Sequence, residues 1–333
     1  MAEFGQVQQA FTSNYKECQC IQQLLQYVQN LKWTTKAIIP QYHDMRRTAD
    51  LVYDEIGDYL YLRKIDSQPC IIYRYQVSTN QWQLGASCPP SCYRFSMAYH
   101  NHLMVIGGAE TRANKATRTG KILSFVDGKW KQLHPDMPTS RSRSTAITCR
   151  VDQAVLLIVI GGEDDSDAPL KTVEVLDLTN PSTGWRRACD TPETLCSSSG
   201  AEAGGYIYVL GGWSKRNVSS SAAFRCSIDA LMKSTQPKFN TPNIWEVLPE
   251  LPAEEATVTS FRNAVIVVGG RANSVAVHDI RTYKPDSERW EVINYLPNPR
   301  YICFAIGLPD KLIVLGGKRD TTTKENTIEI LAQ

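Results

Sequence analysis

An all-β fold, a six-bladed β-propeller of four-stranded antiparallel blades, is predicted by three regularities of the 333-residue sequence. First, an apolar run ends in Gly-Gly five times, at Gly107-Gly108, Gly161-Gly162, Gly211-Gly212, Gly269-Gly270 and Gly316-Gly317. The first glycines lie 54, 50, 58 and 47 residues apart, a period that marks a repeat architecture. Second, tryptophan recurs on the same period at Trp33, Trp82, Trp130, Trp185, Trp245 and Trp290, with Trp213 alone out of series. Third, the surplus tryptophan lies at the N-terminus, while the last unit stops after a third strand at residues 326–331. A ring brings these two ends together, so residues 31–36 are expected to complete the last blade and remove an open sheet edge.

Residues 1–30 form an N-terminal extension in which Ile21, Leu24, Leu25, Val28 and Leu31 fall at helical spacing; this predicts one short amphipathic helix capping the domain. The propeller then occupies residues 31–333, with blades expected at about 42–90, 91–138, 139–192, 193–252, 253–298, and 299–333 plus 31–38. Blade 1 carries Tyr59-Leu60-Tyr61-Leu62-Arg63-Lys64 in place of an apolar run and its glycines. Blade 2 shows the plan most plainly, with strands expected at Arg94–His100, His102–Ile106, Lys121–Val126 and Lys129–His134. Its Asp127-Gly128 is a tight-hairpin dipeptide. The second strand is continuously apolar, which requires burial on both faces, and Gly-Gly after it permits positive φ where the chain turns out of the core. Blade 4 is longest, with 33 residues between Gly212 and Trp245; the excess, about residues 229–243, reads as an extended loop.

Composition narrows the function classes. A formal charge of +2 offers no global field for nucleic acid or membrane. No secretion signal or apolar stretch of spanning length occurs, so a cytoplasmic location is expected. The ten cysteines form no ligand or disulfide framework and read as free, inert thiols. No two of the five histidines stand at the spacing of a helical metal site, and His100 and His102 flank a turn, as exposed loop residues do. The run Glu163-Asp164-Asp165-Ser166-Asp167 lacks the glycine and distal glutamate of a calcium loop, so a solvated loop is expected. Neither a phosphate-cradling loop nor a Gly-x-Ser-x-Gly elbow is present. No catalytic residue, metal or cofactor is expected, and the chain reads as a non-enzyme.

The apolar strand into Gly-Gly, the spacer, the fourth-strand tryptophan and the Pro-Arg before a new first strand resemble the Kelch repeat, most cleanly from Pro297 to Gly317. The likeness covers about residues 31–333. It is closest to the propellers of BTB-BACK-Kelch adaptors, which bring substrates to cullin-type ubiquitin ligases, and residues 16–31 are similar to the end of a BACK region. The resemblance implies a protein-interaction module; a cullin connection needs a BTB domain supplied elsewhere. It also leaves open a sialic acid epimerase-like or sugar-binding protein and an actin-associated scaffold. The iron-dependent group is disfavoured because no Glu-x-x-x-Asp-x-x-x-His pattern occurs.

In a four-stranded blade the loop after strand two and the loop before the next strand one share a face. The sequence places Arg112, Lys115, Arg118, Lys121, Lys215, Arg216, Arg271, Lys318 and Arg319 there, and Arg47, Arg94, Arg143 and Arg300 at first strands. Such a basic rim suits an acidic or phosphorylated partner segment, which guanidinium groups bind bidentately. In ligand-binding Kelch propellers, residues just after Gly-Gly and at the opening of the first strand line the pocket. The resemblance therefore nominates Trp213, Arg271 and Lys318, together with Arg94, Arg143, Arg300 and Tyr301.

Overall fold

The five continuously apolar runs form the second strands of five of the six antiparallel four-stranded sheets, and Tyr59–Lys64 forms that of blade 1. The computed structural model describes residues 18–19, 21–38, 51–64, 71–89, 92–112, 115–215, 218–236 and 243–333. The expected start of blade 1 near residue 42, Arg47, Arg216 and residues 237–242 lie outside the described residues. Blade 3 illustrates the plan: Thr145–Val151, Ala154–Ile160, Val173–Asp177 and Arg186–Ala188 lie side by side in chain order. From Val155 onward its second strand is wholly buried, as are all residues of Tyr206–Leu210 and Ala264–Val268 in blades 4 and 5. A strand covered on both faces needs a second sheet on each side, and the core accordingly lies between blades. Ile158 and Ile160 of blade 3, for example, pack with Ile207, Val209 and Phe224 of blade 4.

The ring closes as the tryptophan count requires. Blade 6 takes Phe304–Gly307, Leu312–Leu315 and Thr327–Ala332, and its outermost strand is Lys32–Ile38 from the other end of the chain. Trp33 stands opposite Leu331 and Thr35 opposite Glu329. The six first strands, Leu51–Asp54, Ser96–His100, Thr145–Val151, Ser199–Ala203, Thr257–Phe261 and Phe304–Gly307, touch their neighbours around a central channel, each in contact with the next and the last with the first.

Two sets of hydrogen bonds tie blade to blade. Near the axis, Ser96 Oγ donates to Ser144 O (2.5 Å), Thr145 Oγ1 to Ser198 O (2.8 Å), Val258 N to Ser199 Oγ (2.9 Å) and Gly307 N to Thr259 Oγ1 (3.1 Å). Packing there is so close that a Cβ on Gly307 would lie 1.9 Å from Ser260 O. At the periphery, each indole N–H but one donates to a carbonyl of the preceding blade: Trp130 to Ser87, Trp185 to Pro135, Trp245 to Cys189, Trp290 to Pro249 and Trp33 to Tyr295, at 2.7–3.2 Å. The exception is Trp82, whose Nε1 is buried and makes no hydrogen bond among the described residues. The periodic tryptophans are therefore seam residues, combining a large apolar ring with one polar handle.

The N-terminal helix, α1 (residues 21–28), buries Ile21, Leu24 and Val28 against Phe261 and Ile266 of blade 5 and Leu312 of blade 6. Tyr27 Oη donates to Asp310 O (3.2 Å), and the Arg262 guanidinium lies over the Tyr27 ring at 3.9 Å. The blade-4 excess begins as a helix, α2 (Ile228–Ser234), where an extended loop was expected. Ser227 caps it by accepting from Ala230 N (3.2 Å), and Ile228 and Leu231 are buried in the seam with blade 3. The prolines that suggested a loop lie beyond it, whereas Ala-Leu-Met-Lys at its centre favours helix. The thiols also need one correction: Cys88 is disulfide-bonded. Cys149 and Cys196 are free, and burial pushes each up to about 12, which suppresses the reactive thiolate.

The seam role of tryptophan separates two substitutions. Trp245→Ala is expected to lower unfolding free energy by about 3–5 kcal/mol. Trp245→Phe, which keeps most of the apolar body but loses the bond to Cys189 O, should cost about 1 kcal/mol. Trp82→Phe loses no hydrogen bond and should cost less than Trp245→Phe. Urea unfolding of the three variants checks this order, and equal losses at positions 82 and 245 would contradict it.

Candidate functional site

Each first strand crosses the ring from one mouth of the channel to the other, so the segment after Gly-Gly and the segment leading into the first strand emerge at the same mouth. Gly161 and Gly162 make the exit possible, with φ of 60° and 102°. A Cβ on Gly161 would lie 2.2 Å from Leu195 O, so the chain passes here only as glycine. Directly beyond the glycines, Glu163, Trp213, Arg271 and Lys318 each bridge to the residue that precedes a left-handed turn: Ser142, Cys196, Glu254 and Tyr301. The turn residues themselves are Arg143, Ser197, Glu255 and Ile302, joined by Arg94 in blade 2, all with φ between 51° and 57°. Their backbones connect blade to blade, from Arg143 N to Arg94 O (2.8 Å), Ser197 N to Arg143 O (2.8 Å) and Ile302 N to Glu255 O (3.0 Å). Non-glycine residues held in this conformation are costly and gather where side chains must be aimed.

A cavity of about 190 Å³ opens at this mouth, lined among others by Arg143, Ser197, Trp213, Glu255 and Ile302. Of the nominated residues, Arg143 and Trp213 line it and form one pair; Arg271 and the buried Tyr301 form a second pair outside its lining. The Arg143 guanidinium lies 5.9 Å from the centre of the Trp213 ring, and that of Arg271 lies 5.5 Å from the centre of Tyr301. Lys318 is joined to Tyr301 through both backbone hydrogen bonds of their bridge (2.8 and 2.9 Å). Arg94 occupies the blade-2 turn and is half-buried.

Arg300 does not reach this surface. It is 0 % exposed, its Nη1 donates to Gly316 O (3.1 Å), and its Nη2 lies 3.7 Å from Glu329 and 4.0 Å from Glu325. Blade 3 repeats the arrangement with Arg141, which donates to Gly161 O (2.8 Å) and pairs with Glu174 (2.9 Å). Arg300 thus corresponds to Arg141, and the blade-6 counterpart of Arg143 is Ile302.

Nor is the rim an unopposed basic surface, as expected from sequence. Arg143 pairs with Glu163 (2.9 Å) and Arg271 with Glu255 (3.2 Å), while Arg319 pairs with Glu325. Arg118 is buried against Glu163 (3.5 Å) and Asp167, and its backbone N–H donates to Asp165 (2.6 Å). The acidic run is therefore a set of counter-ions clamping blade 3 to blade 2, and Glu163 is only 5 % exposed. Of the remaining rim residues, Arg112 and Lys115 lie in the small three-stranded sheet that follows Gly107-Gly108, and Lys215 in the two-stranded ribbon that follows Gly211-Gly212. The sequence suggested only a solvated loop for Glu163, which is buried, and gave no role to Glu255 and Ser197. Each has a signal: Glu163 directly follows Gly162, as Trp213 follows Gly212, and Ser197 and Glu255 each stand 14 residues before the first glycine of their pair.

The opposite mouth is wider, a cavity of about 550 Å³ whose lining includes Tyr53, Glu55, Tyr99, His100, Arg150 and Glu202. His100 and His102 are half-buried strand residues facing each other across the Asn101 turn, not exposed loop residues. His100 is held below the usual imidazole range by burial and then by Arg150 and His102; His134 is held low by burial and then by His100 and His102.

Two outcomes follow from these placements. Arg300→Ala should lower unfolding free energy by about 3–5 kcal/mol, because it leaves buried carboxylates uncompensated. Arg143→Ala at the partly open mouth should cost about 1 kcal/mol. Denaturant titration distinguishes them, and equal losses would place Arg143 in the same structural class as Arg300. For the histidines, the unfolded chain titrates near 6.5 and the folded state below that. Protons are then taken up first by the unfolded chain. Stability is full above about pH 6.5 and falls as pH drops toward the folded values. Melting curves from pH 8 to 5 should show this decline, reduced in the double variant His100→Asn/His134→Asn.

Comparison with known proteins agrees with this architecture. The family model described as the KLHDC2/KLHL20/DRC7 Kelch-repeats domain matches residues 95–317. Kelch-like protein 25 of Xenopus tropicalis is 25% identical over 228 residues, 66% of this chain and 35% of that protein. Kelch repeat and BTB domain-containing protein 1 of Cowpox virus (strain Brighton Red) is 24% identical over 265 residues, 77% of this chain and 43% of that protein. Kelch-like protein 38 of Rattus norvegicus is 24% identical over 251 residues, 74% and 40% respectively. The chain thus spans well under half the length of these curated relatives. The solved structure of YjhT superposes with a TM-score of 0.66 at 12% identity, over 88% of this chain and 96% of that one, a likeness of fold alone. With a family model matched over most of its repeats and all six blades in place, the chain belongs to the Kelch-repeat family.

Proposed function

We propose that this propeller is a non-enzymatic protein-interaction module that holds an acidic or phosphorylated partner segment at the narrower mouth. The observation that carries the reading is the pair of guanidinium–aromatic contacts, Arg143 with Trp213 and Arg271 with Tyr301. Arg143 spends one donor on Glu163, and its Nε is buried without an acceptor among the described residues. A guanidinium has five N–H donors, so it can add a ligand oxygen while keeping its internal partner. The internal carboxylates Glu163 and Glu255 temper the attraction, so binding selects a geometry as well as a charge. Trp213 and Arg143 side by side are of the residue types that dominate interface energetics. Arg94 and Lys318 extend the proposed contact surface, and Arg300 supports it from beneath.

One of these relatives, the cowpox virus protein, carries BTB in its name, and the matched region is a minor part of its length. In that setting we assign the propeller to substrate recognition for a cullin-type ubiquitin ligase, with the BTB region on the same chain or a partner. A cytoplasmic location goes with this reading; among the described residues no helix is long and apolar enough to cross a membrane.

Capture of partners from cell lysate by the wild type and by Trp213→Ala/Arg271→Glu tests the site. The double variant should retain its fold and lose at least about tenfold of specific capture, the scale of a hot-spot loss. Equal recovery of the same partners by both proteins would remove the narrow mouth as the binding face.

A further inference from the structure

Cationic side chains at the two mouths are treated differently. At the narrow mouth Arg118, Arg143, Arg271 and Arg319 all face internal carboxylates. At the wide mouth Arg150, exposed at the end of the first strand of blade 3, makes no ion pair or side-chain hydrogen bond among the described residues. Beside it stands the end of the neighbouring first strand, Ser96–His100, which packs directly on that of blade 3. His100 and Arg150 line the same cavity. His102 faces His100 across the hairpin, and paired residues of this kind share one face of a sheet. His134, from the segment after the fourth strand of blade 2, has a buried Nδ1 with no hydrogen-bond partner.

We propose that Arg150, His100, His102 and His134 form an anion site at the wide mouth that takes a phosphate group, free or carried on a phosphomonoester. His100 and Arg150 line the cavity, His102 is paired with His100, and His134 lies close enough to feel both imidazoles; together they offer more donors than a two-oxygen carboxylate uses, whereas a phosphomonoester presents three acceptor oxygens and close to two charges. The carboxylates nearby are committed elsewhere or stand apart. Asp54 accepts from the backbone of its own turn at Ile56 and Gly57 (3.1 and 3.0 Å), and Glu202 accepts from Gly205 N (3.1 Å). Glu55 lies on the blade-1 turn across the cavity, and Asp152, at the tip of the blade-3 turn, forms no ion pair with Arg150. The charges acting on His100 are those of Arg150 and His102, and those acting on His134 are His100 and His102. The charges acting on these two imidazoles are thus cationic, and His100 and His134 each resist a proton until an anion arrives. Binding and protonation therefore reinforce each other, and affinity for phosphate rises as pH falls through the imidazole range.

The site is tested on the full chain by following histidine imidazole resonances from pH 5.5 to 8. Inorganic phosphate, phosphoserine and acetate are each compared with chloride at equal ionic strength. Phosphate and phosphoserine are expected to raise the apparent pKa of His100 and His134 by about one unit, leaving the resonances of His278 on blade 5 unmoved. Phosphoserine binding more tightly than inorganic phosphate would assign the site to a phosphorylated partner, and the reverse to the free ion. Arg150→Gln should reduce the shift at least several-fold, Arg150→Lys should retain part of it, and Arg143→Gln at the other mouth should leave it intact. Equal shifts with chloride or acetate, or with His278 moving alongside, would overturn the assignment.

Discussion

A ring of sheets depends on every seam at once. Each blade has two apolar faces and can bury both only between two neighbours, so one open seam exposes two faces together. The pairing of Lys32–Ile38 with Thr327–Ala332 is therefore the constraint on which the remainder rests. It joins the ends of the chain through a backbone ladder and brings Trp33 to the carbonyl of Tyr295. The helix α1 strengthens the same region by burying its apolar stripe on blades 5 and 6. Closure by a strand from the opposite end also delays it until the chain is complete, since the contacts it makes are the most distant in sequence.

The seams divide their labour by radius. Near the axis, where first strands approach most closely, hydroxyls of Ser96, Thr145, Ser199 and Thr259 bridge one blade to the next. At the periphery, where sheets diverge, an indole spans the gap and reaches a carbonyl. Between these layers, the buried pairs Arg141–Glu174 and Arg300–Glu329 anchor the Gly-Gly exits of blades 3 and 6. Buried ion pairs contribute little net stability relative to an apolar core, yet removing one partner is severe. Their use here is to hold the carbonyls of Gly161 and Gly316 where the chain leaves the core.

That rigid exit is what gives the narrow mouth its chemistry. Gly-Gly turns, the short bridges beyond them and five left-handed residues fix the direction of each mouth side chain before any partner arrives. Preorganisation of this kind reduces the ordering cost of binding. Internal acids beside Arg143 and Arg271 keep the small cavity near neutrality, consistent with a chain whose net charge is only +2. At the wide mouth Arg150 makes no ion pair among the described residues, so the two ends of one channel treat their arginines differently although they share the same six strands.

The fold was legible in the sequence because its cause is local and repeated. An apolar run, a glycine pair and a tryptophan recur at one spacing, and an unequal count at the two ends requires ring closure. The candidate site was legible only in part. Trp213, Arg271 and Lys318 stand where their position after Gly-Gly placed them, in the bridges at the narrow mouth, whereas Arg300 was mistaken for a rim residue because residue type was followed in place of register. Arg300 stands two residues before the left-handed Ile302, as Arg141 stands two before the left-handed Arg143, so the counterpart of Arg143 is Ile302. Pairing could not be read at all: Glu163 meets Arg118 across a blade boundary and Arg143 within its own blade, and Arg150 acts on His100 from the neighbouring blade. The sequence by itself determined the number, order and closure of the blades, since these follow from periodicity along one chain. Only the tertiary structure decided which charges are spent and which remain, because that depends on distances between residues the chain holds far apart.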